Sequence, residues 1–146
     1  TYGPIAQYTV PWVATESPHS RVLALKWIKS KSESIATSGW NTYAGMIAVT
    51  PDEELDLDEI KQLIDQVVDQ IDSAPNNVRY TMNGFVISVG TYVKPLLKKA
   101  RAAAKKIGTV TVDMGDTACK VPNALTYIAK VEDQERTGKK RKTIKC

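Results

Sequence analysis

The segment from Asn76 to Val93 carries apolar residues at helical spacing, and the rest of the chain is organised around it. Read at helical spacing, steps of three and four place six apolar side chains on one face. These are Val78, Met82, Phe85, Val86, Val89 and Val93. Gly84 and Gly90 each weaken a helix by about 1 kcal/mol relative to alanine, so they predict close packing or close approach of a ligand. The segment predicts a central helix that other helices cover on more than one side.

Five further helices are predicted by apolar positions at the same spacing, with capping residues or prolines at their starts. They span about 18–31, 35–49, 58–72 and 96–107, and a last one begins at Pro122. In the first of them we expect Val22, Leu25 and Ile28 on the buried face. Residues 109–113 alternate briefly like a strand, but they have no obvious partner strand and are interpreted as an extended loop.

The spacing of the helix starts predicts the fold class. First helices begin near residues 18, 58 and 95, and second helices near 35, 77 and 122. Helix pairs that repeat at about 40 residues are typical of α-solenoids of the HEAT kind. We therefore predict an all-α fold, an α-α superhelix of HEAT-like pairs with about six main helices, over residues 1–135. A compact six-helix bundle is the alternative.

The two ends of the chain differ from this pattern. Residues 1–15 contain the aromatic residues Tyr2, Tyr8 and Trp12. They also contain Pro4 and Pro11, which interrupt any long helix. We interpret these residues as the end of something larger. Because the chain begins with Thr1 and not with Met, we expect a processed product or a fragment, and we favour a fragment. Residues 136–146 are basic and without periodicity, which predicts a mobile tail.

Composition narrows the function classes. Apolar residues make up 42% and charged residues 25%, as in ordinary globular proteins. No apolar run approaches the roughly 20 residues that cross a bilayer, so we expect no membrane partner. Two cysteines, Cys119 and Cys146, suit a cytoplasmic protein with free thiols. We find no cysteine or serine nucleophile paired with the single His19, so no catalytic residue is expected. We also find no glycine loop that binds phosphate, and we expect no cofactor.

Charge is divided unevenly along the chain. Residues 1–93 carry 6 Lys/Arg and 11 Asp/Glu, whereas residues 94–146 carry 14 and 5, a balance of −5 against +9. Lys94, Lys98, Arg101 and Lys105 follow helical spacing, as expected of side chains that track a phosphate backbone. The alternative is an ordinary solvated helix face.

Three potential metal ligands recur at every third residue: Asp113, Asp116 and Cys119. Zinc usually takes four ligands rich in cysteine or histidine, and none lie nearby in the sequence. We therefore expect no metal, and instead a turn in which Asp116 or Thr117 satisfies backbone donors while Cys119 is buried.

Two segments carry a resemblance to a known family. They are Asn-Asn-Val-Arg-Tyr-Thr-Met-Asn at 76–83 and Ile-Gly-Thr-Val-Thr-Val-Asp-Met-Gly-Asp-Thr-Ala-Cys-Lys-Val-Pro at 107–122. The chain resembles, from about Ser17 to Val131, the C-terminal half of the bacterial DNA alkylation repair proteins, HEAT-like repeats related to alkylpurine DNA glycosylases. The resemblance implies binding of duplex DNA on a concave, basic face. In active members, aromatic side chains and a carboxylate stabilise positive charge while the glycosidic bond of an alkylated purine is hydrolysed.

The chain departs from that family at the residues that carry the chemistry. The segment with the catalytic Asp and a nearby Trp has no counterpart here. Ser38 stands in the place of a DNA-contacting Arg, and Gly84 in the place of a second pocket Trp, which removes a cation–π contact. The resemblance thus implies a DNA-repair-like protein that binds duplex DNA non-specifically and is not catalytic as this fragment. A HEAT-like scaffold for protein partners, without DNA binding, is the alternative.

The candidate site residues follow from the charge and from the resemblance. For DNA binding we expect Arg79, Lys98, Lys99, Arg101, Lys105, Lys106, Lys139, Lys140, Arg141 and Lys142. On the concave face we expect Ser38, Trp40, Asn41, Asn83 and Gly84, with a place in the core as the favoured interpretation of Trp40.

Overall fold

The computed structural model describes residues 5–113, 115 and 120–145, and within these ranges it contains seven α-helices and no strand. The helices are α1 (Val10–Thr15), α2 (Ser20–Ile28), α3 (Glu33–Val49), α4 (Leu57–Gln70), α5 (Asn76–Tyr92), α6 (Leu97–Ile107) and α7 (Ala124–Asp133). The six predicted helices correspond to α2–α7. None of the seven is long and apolar enough to cross a membrane.

The chain before α2 is more regular than we expected. A wide, π-type helical turn, Ile5–Thr9, leads directly into α1. Pro11 lies in the first turn of α1, where its missing N–H costs no hydrogen bond, so it does not break the helical segment. Pro4 lies outside the described residues.

The helices form two layers. In one layer α1, α3, α5 and α7 pack side by side in chain order. The other layer contains α2, α4 and α6. Of these, α2 packs on α3, and α6 packs on α4, α5 and α7. The pairs α2/α3, α4/α5 and α6/α7 are the repeats that the sequence predicts, and their stacking confirms the superhelix rather than a compact bundle.

Helix α5 lies at the centre of the core. All six of its predicted core side chains are buried, and Phe85 is fully enclosed. Its ring centroid lies 5.2 Å from that of Trp40 and 5.9 Å from that of Tyr43, both on α3. Thr81 and Asn83, on other sides of the helix, are buried as well. This confirms that α5 is covered on more than one side.

The buried face of α2 differs from the prediction. Val22 is 65% exposed, whereas Ala24 and Ile28 are buried. Residues two apart on a helix point about 200° away from each other, so burial of Ala24 places Val22 in solvent. Helix α2 presents Ala24 because α3 approaches it at Gly39. A Cβ added at Gly39 lies only 2.5 Å from the backbone nitrogen of Ile28.

A polar junction connects three helices beside this core. The hydroxyl of Tyr43 on α3 donates to Oε1 of Glu59 on α4 at 2.6 Å. The Arg21 guanidinium on α2 donates to both oxygens of the same carboxylate, at 3.0 and 2.5 Å. Burial, followed by the hydrogen bond to Glu59, raises the pKa of Tyr43 well above its ordinary value, so this hydroxyl remains a donor.

We predict opposite effects for alanine at two helical glycines. Gly39→Ala brings a methyl group onto the α2 backbone and should lower the free energy of unfolding by about 1–3 kcal/mol. At Gly84 an added Cβ meets no atom of the described chain within 4 Å, so Gly84→Ala should raise the free energy of unfolding by about 0.5–1 kcal/mol. Urea unfolding of both variants measures the difference. Equal effects of the two substitutions would contradict the close approach of α2 to α3.

Candidate nucleic-acid interface

The two sequence segments that carry the family resemblance lie against each other. The side-chain amide of Asn76 donates to the carbonyl of Asp113, and its Oδ1 accepts from the N–H of Asp113 at 2.7 Å. Further along α5, Nδ2 of Asn83 donates to the carbonyl of Pro122 at 2.8 Å. The first segment therefore holds the second at Asp113, near its middle, and at Pro122, its last residue. Residues 109–113, predicted as an extended loop, form neither helix nor strand.

Arg79 joins the same region from within α5. Its guanidinium donates to the carbonyls of Ile71 at 3.1 Å, Asp72 at 3.0 Å, Ala74 at 3.3 Å and Thr111 at 3.0 Å. Three of these carbonyls follow the end of α4, where a cation and N–H donors are favourable. Contact of Arg79 with DNA stays a prediction, and the structure shows four of its five donors used inside the protein.

The predicted turn at Asp113 is formed by its own carboxylate. Oδ1 of Asp113 accepts from the N–H of Gly115 at 2.9 Å, and Gly115 has a φ of +63°, which favours glycine. Asp116, Thr117 and Cys119, the other residues named in that prediction, lie outside the described residues. Over residues 5–113, 115 and 120–145, no group of three His, Cys, Asp or Glu side chains is arranged to hold a metal.

The predicted basic side chains of α6 fall into two groups. Lys99 forms an ion pair with Asp65 on α4, and Arg101 one with Glu132 on α7 at 3.2 Å. Lys98, Lys105 and Lys106 are exposed and have no ion pair in the described part of the chain. Of the five, these three are the cations available to a partner.

We refer to residues 136–145 as the basic segment. The N–H of Gly138 donates to the carbonyl of Thr91 at 2.8 Å, and the N–H of Arg141 to that of Ala48 at 2.8 Å. These carbonyls lie at the carboxyl ends of α5 and α3, where helices leave acceptors unpaired. Nζ of Lys140 donates to the carbonyl of Ile47 at 3.0 Å and pairs with Asp52 at 2.8 Å. The basic segment therefore crosses two helix ends.

The far end of the basic segment reaches α1. The Thr143 hydroxyl donates to Oε1 of Glu16 at 3.3 Å, and Nζ of Lys145 lies 5.4 Å from the ring centroid of Trp12. We expected a mobile tail, but its described residues contact α1, α3 and α5 because their donors meet unpaired acceptors there. The division of the chain at residue 135 stays a prediction. Lys139 and Lys142 are exposed, with no ion pair among the described residues.

A groove of about 490 Å³ opens between α1, α3, α5 and the basic segment. Its floor is made of small residues from α3, including Ala44 and Gly45. Its walls combine aromatic rings with cations, namely Tyr8, Trp12, Tyr92, Arg141 and Lys145. Tyr92 and Arg141 also border a neighbouring hollow lined by Arg136, Lys139 and Lys140. Aromatic rings beside cations are typical of surfaces that bind unstacked nucleotides.

The residues predicted for the concave face are mostly covered. The Ser38 hydroxyl donates to the carbonyl of Ala6 at 2.7 Å, and Nδ2 of Asn41 to that of Gln7 at 2.6 Å. Trp40 lies in the core, as favoured above. Like Asn83, it is buried. Asn41 borders the groove, and Gly84 is half-buried, with open space where a side chain would begin.

The groove aromatics were not among the predicted site residues. Tyr8 and Trp12 belong to residues 1–15, which we interpreted from the sequence only as the end of something larger. Tyr92 is the last residue of α5, directly before the basic half of the chain. Their convergence depends on the path of the basic segment, which has no periodic pattern.

Two Listeria proteins are similar to this chain in sequence. No family model matches the chain. It is 34% identical over 122 residues to the uncharacterized protein Lin0241 of Listeria innocua, a match that covers 84% of this chain and 51% of that protein. It is 33% identical over 124 residues to the uncharacterized protein Lmo0209 of Listeria monocytogenes, covering 85% and 52%. The chain spans about half the length of these relatives.

One solved structure is similar over nearly the whole chain. The TM-score is 0.90 at 30% sequence identity, and the match covers 99% of this chain and 61% of that one. That protein represents a new family of proteins related to the HEAT-like repeat DNA glycosylases with affinity for branched DNA structures. The similarity confirms the HEAT-like fold and a likeness to proteins related to these glycosylases. A closer relation to the DNA alkylation repair proteins themselves stays a prediction.

We predict that the basic segment stabilises the helical body. A chain ending at Arg136 loses two backbone hydrogen bonds to helix ends and the Lys140–Asp52 ion pair. Its free energy of unfolding should fall by about 2–3 kcal/mol. The double variant Lys139→Ala/Lys142→Ala removes two charges but none of these contacts, and should stay within about 0.5 kcal/mol of the wild type. An unchanged urea midpoint in the shortened chain would show that the segment does not hold the helix ends.

Proposed function

We propose that this chain is a DNA-binding HEAT-like repeat module that contacts phosphates without reading sequence and has affinity for branched DNA. The observation that carries the proposal is the similarity, over 99% of the chain, to a protein of a family with affinity for branched DNA. The predicted duplex partner fits this proposal, since the arms of a branched DNA are duplexes.

The distribution of charge supports the proposal. Residues 94–146 carry a balance of +9, and several of their cations are exposed and unpaired in the described structure. We propose as phosphate contacts Lys98, Lys105, Lys106, Lys139 and Lys142. Gly138 of the basic segment lies against the Lys94 side chain, so the segment passes beside the residues that lead into α6. Arg79, Lys99 and Lys140 instead support the fold.

We further propose that the chain does not catalyse base excision. The DNA alkylation repair proteins that the sequence resembles use a carboxylate and a neighbouring Trp for excision, and the resemblance implies no counterpart of either in this sequence. A carboxylate beside the groove aromatics, that of Glu16, accepts hydrogen bonds from Nε1 of Trp12 at 2.9 Å and from Thr143. Those bonds give it a structural role at the groove wall. We also propose a cytoplasmic location. Its only support is that the chain has two cysteines, which suit free thiols.

DNA binding should weaken with salt through the proposed lysines. Replacing Lys98 and Lys105 together by alanine should lower the slope of log affinity against log salt by about 1.8, because each phosphate that the protein no longer neutralises lowers it by about 0.9. The matched control is Lys26→Ala/Lys29→Ala, which removes the same charge from exposed positions of α2 and its end. Fluorescence anisotropy with a labelled duplex at several salt concentrations measures the slopes.

Equal slopes in the wild type and the Lys98→Ala/Lys105→Ala variant would contradict these contacts. If the wild type binds no DNA at low salt, the protein–protein scaffold becomes the better proposal. Exposed apolar side chains, among them Val13 and Val22, are available to such a partner.

The chain alone should release no methylated purine from alkylated duplex DNA above the rate in buffer. Excision requires a group that stabilises developing positive charge beside the lesion, and we propose that none is placed to do so. Chromatography of the released bases measures the rate. Release that Asp113→Asn abolishes while the helical circular-dichroism spectrum is retained would overturn the proposal, because Asp113 would then be catalytic.

A further inference from the structure

We propose that the groove between α1, α3, α5 and the basic segment binds one unpaired nucleotide at the branch point of a DNA. This inference rests on the proposed DNA binding and adds to it the place and the chemical form that are recognised. It differs from the phosphate contacts on α6, which are available equally to any duplex.

The shape of the groove suits a flat ligand of limited size. Its volume of about 490 Å³ lies within the range of small-molecule sites. The floor consists of Ala44, Gly45 and Ala48, whose short side chains leave depth between the aromatic walls. A base in a duplex is stacked and paired, so it has no free face to offer. An unpaired base has two free faces that can stack on aromatic rings.

The rings of Tyr8 and Tyr92 line the groove, and the Trp12 ring, which lies under Nζ of Lys145 on one face, has a set orientation. Tyr8 is 58% exposed at the rim, and Trp12 and Tyr92 are half-buried in the walls. The indole N–H of Trp12 donates to Glu16 at 2.9 Å, which fixes the plane of the ring. Stacking of a base on such a ring is favourable for every base, because each has a π-face. The groove should therefore bind unpaired nucleotides with little preference for sequence.

Two cations complement the phosphate of the same nucleotide. Arg141 and Lys145 both line the groove, and Lys145 lies 5.4 Å from the centre of the Trp12 ring. The backbone of Arg141 is held by its hydrogen bond to Ala48, so its side chain starts from a fixed point. A guanidinium and an ammonium beside a stacking surface favour an aromatic anion such as a nucleotide over a neutral apolar peptide.

The experiment compares two DNAs of the same sequence at one salt concentration, a fork with unpaired arms and a fully paired duplex. Ala44→Phe fills the floor of the groove without changing charge, and Tyr92→Ala removes one stacking surface. The matched control is Tyr127→Ala, which removes a 47% exposed tyrosine from α7, away from the groove. We expect each groove variant to lower affinity for the fork by about tenfold and to leave affinity for the duplex unchanged. The control should change neither.

Tryptophan fluorescence gives a second readout in the intact chain. Binding of a short oligothymidylate should quench Trp12, and Trp12→Phe should abolish the quench although Trp27 and Trp40 remain. If folded groove variants keep wild-type affinity for the fork, or if the oligothymidylate quenches the Trp12→Phe variant equally, the groove is not the site. If the wild type binds the fork and the duplex with equal affinity and with the expected salt slope, the proposed groove site is wrong but the proposed DNA binding stands. A wild type that binds neither overturns the proposed function itself.

Discussion

The structure depends on covering α5, a helix with buried side chains on several of its sides. Phe85 packs against the rings of Trp40 and Tyr43, and α3, α6 and α7 all pack on the same helix. A polar side chain on so enclosed a helix has to find partners inside the protein. Asn83 therefore bonds to the carbonyl of Pro122, and Arg79 to the carbonyls after α4. Burial of one helix thus fixes the loops beside it.

The same packing creates the surface on which the candidate site is built. Because α3 and α5 lie side by side, their carboxyl ends present unpaired carbonyls close together, each at the negative end of a helix dipole. A chain rich in cations and in free N–H groups is a favourable partner for such ends. The basic segment supplies both, through the N–H groups of Gly138 and Arg141 and the ammonium of Lys140. Its charge therefore has a structural use as well as a proposed functional one.

The fold could be predicted because its helices carry their own periodic signal. In α4 the stripe from Ile60 to Ile71 is buried as the spacing indicates, apart from half-buried Val68. Val22 was assigned wrongly because the orientation of α2 is set by a close approach at Gly39, and periodicity in α2 alone does not contain that contact. The apolar pattern identifies helices well and their partners less well.

The site was less predictable for a related reason. A charged residue has the same appearance in a sequence whether it faces solvent or backbone carbonyls, and Arg79 and Lys98 turn out to differ in this respect. The groove also joins side chains from opposite ends of the chain, such as Trp12 and Lys145. Sequence patterns among neighbouring residues do not show contacts between residues so far apart in the chain. Only the packing of α1 against α3 and the path of the basic segment bring them together.

The contact between Thr143 and Glu16 joins residues 127 positions apart, and it has a consequence for dynamics. Contacts between residues so far apart in sequence slow folding, because the loop-closure entropy is lost before the contact stabilises the chain. A segment held by a few bonds at the surface is also a unit of local unfolding, which opens at lower cost than the core. The apparent affinity of any ligand in the groove is then scaled by the fraction of molecules in which this segment is closed. A change of about 1.4 kcal/mol in its docking would alter the ratio of closed to open molecules tenfold, without touching the ligand.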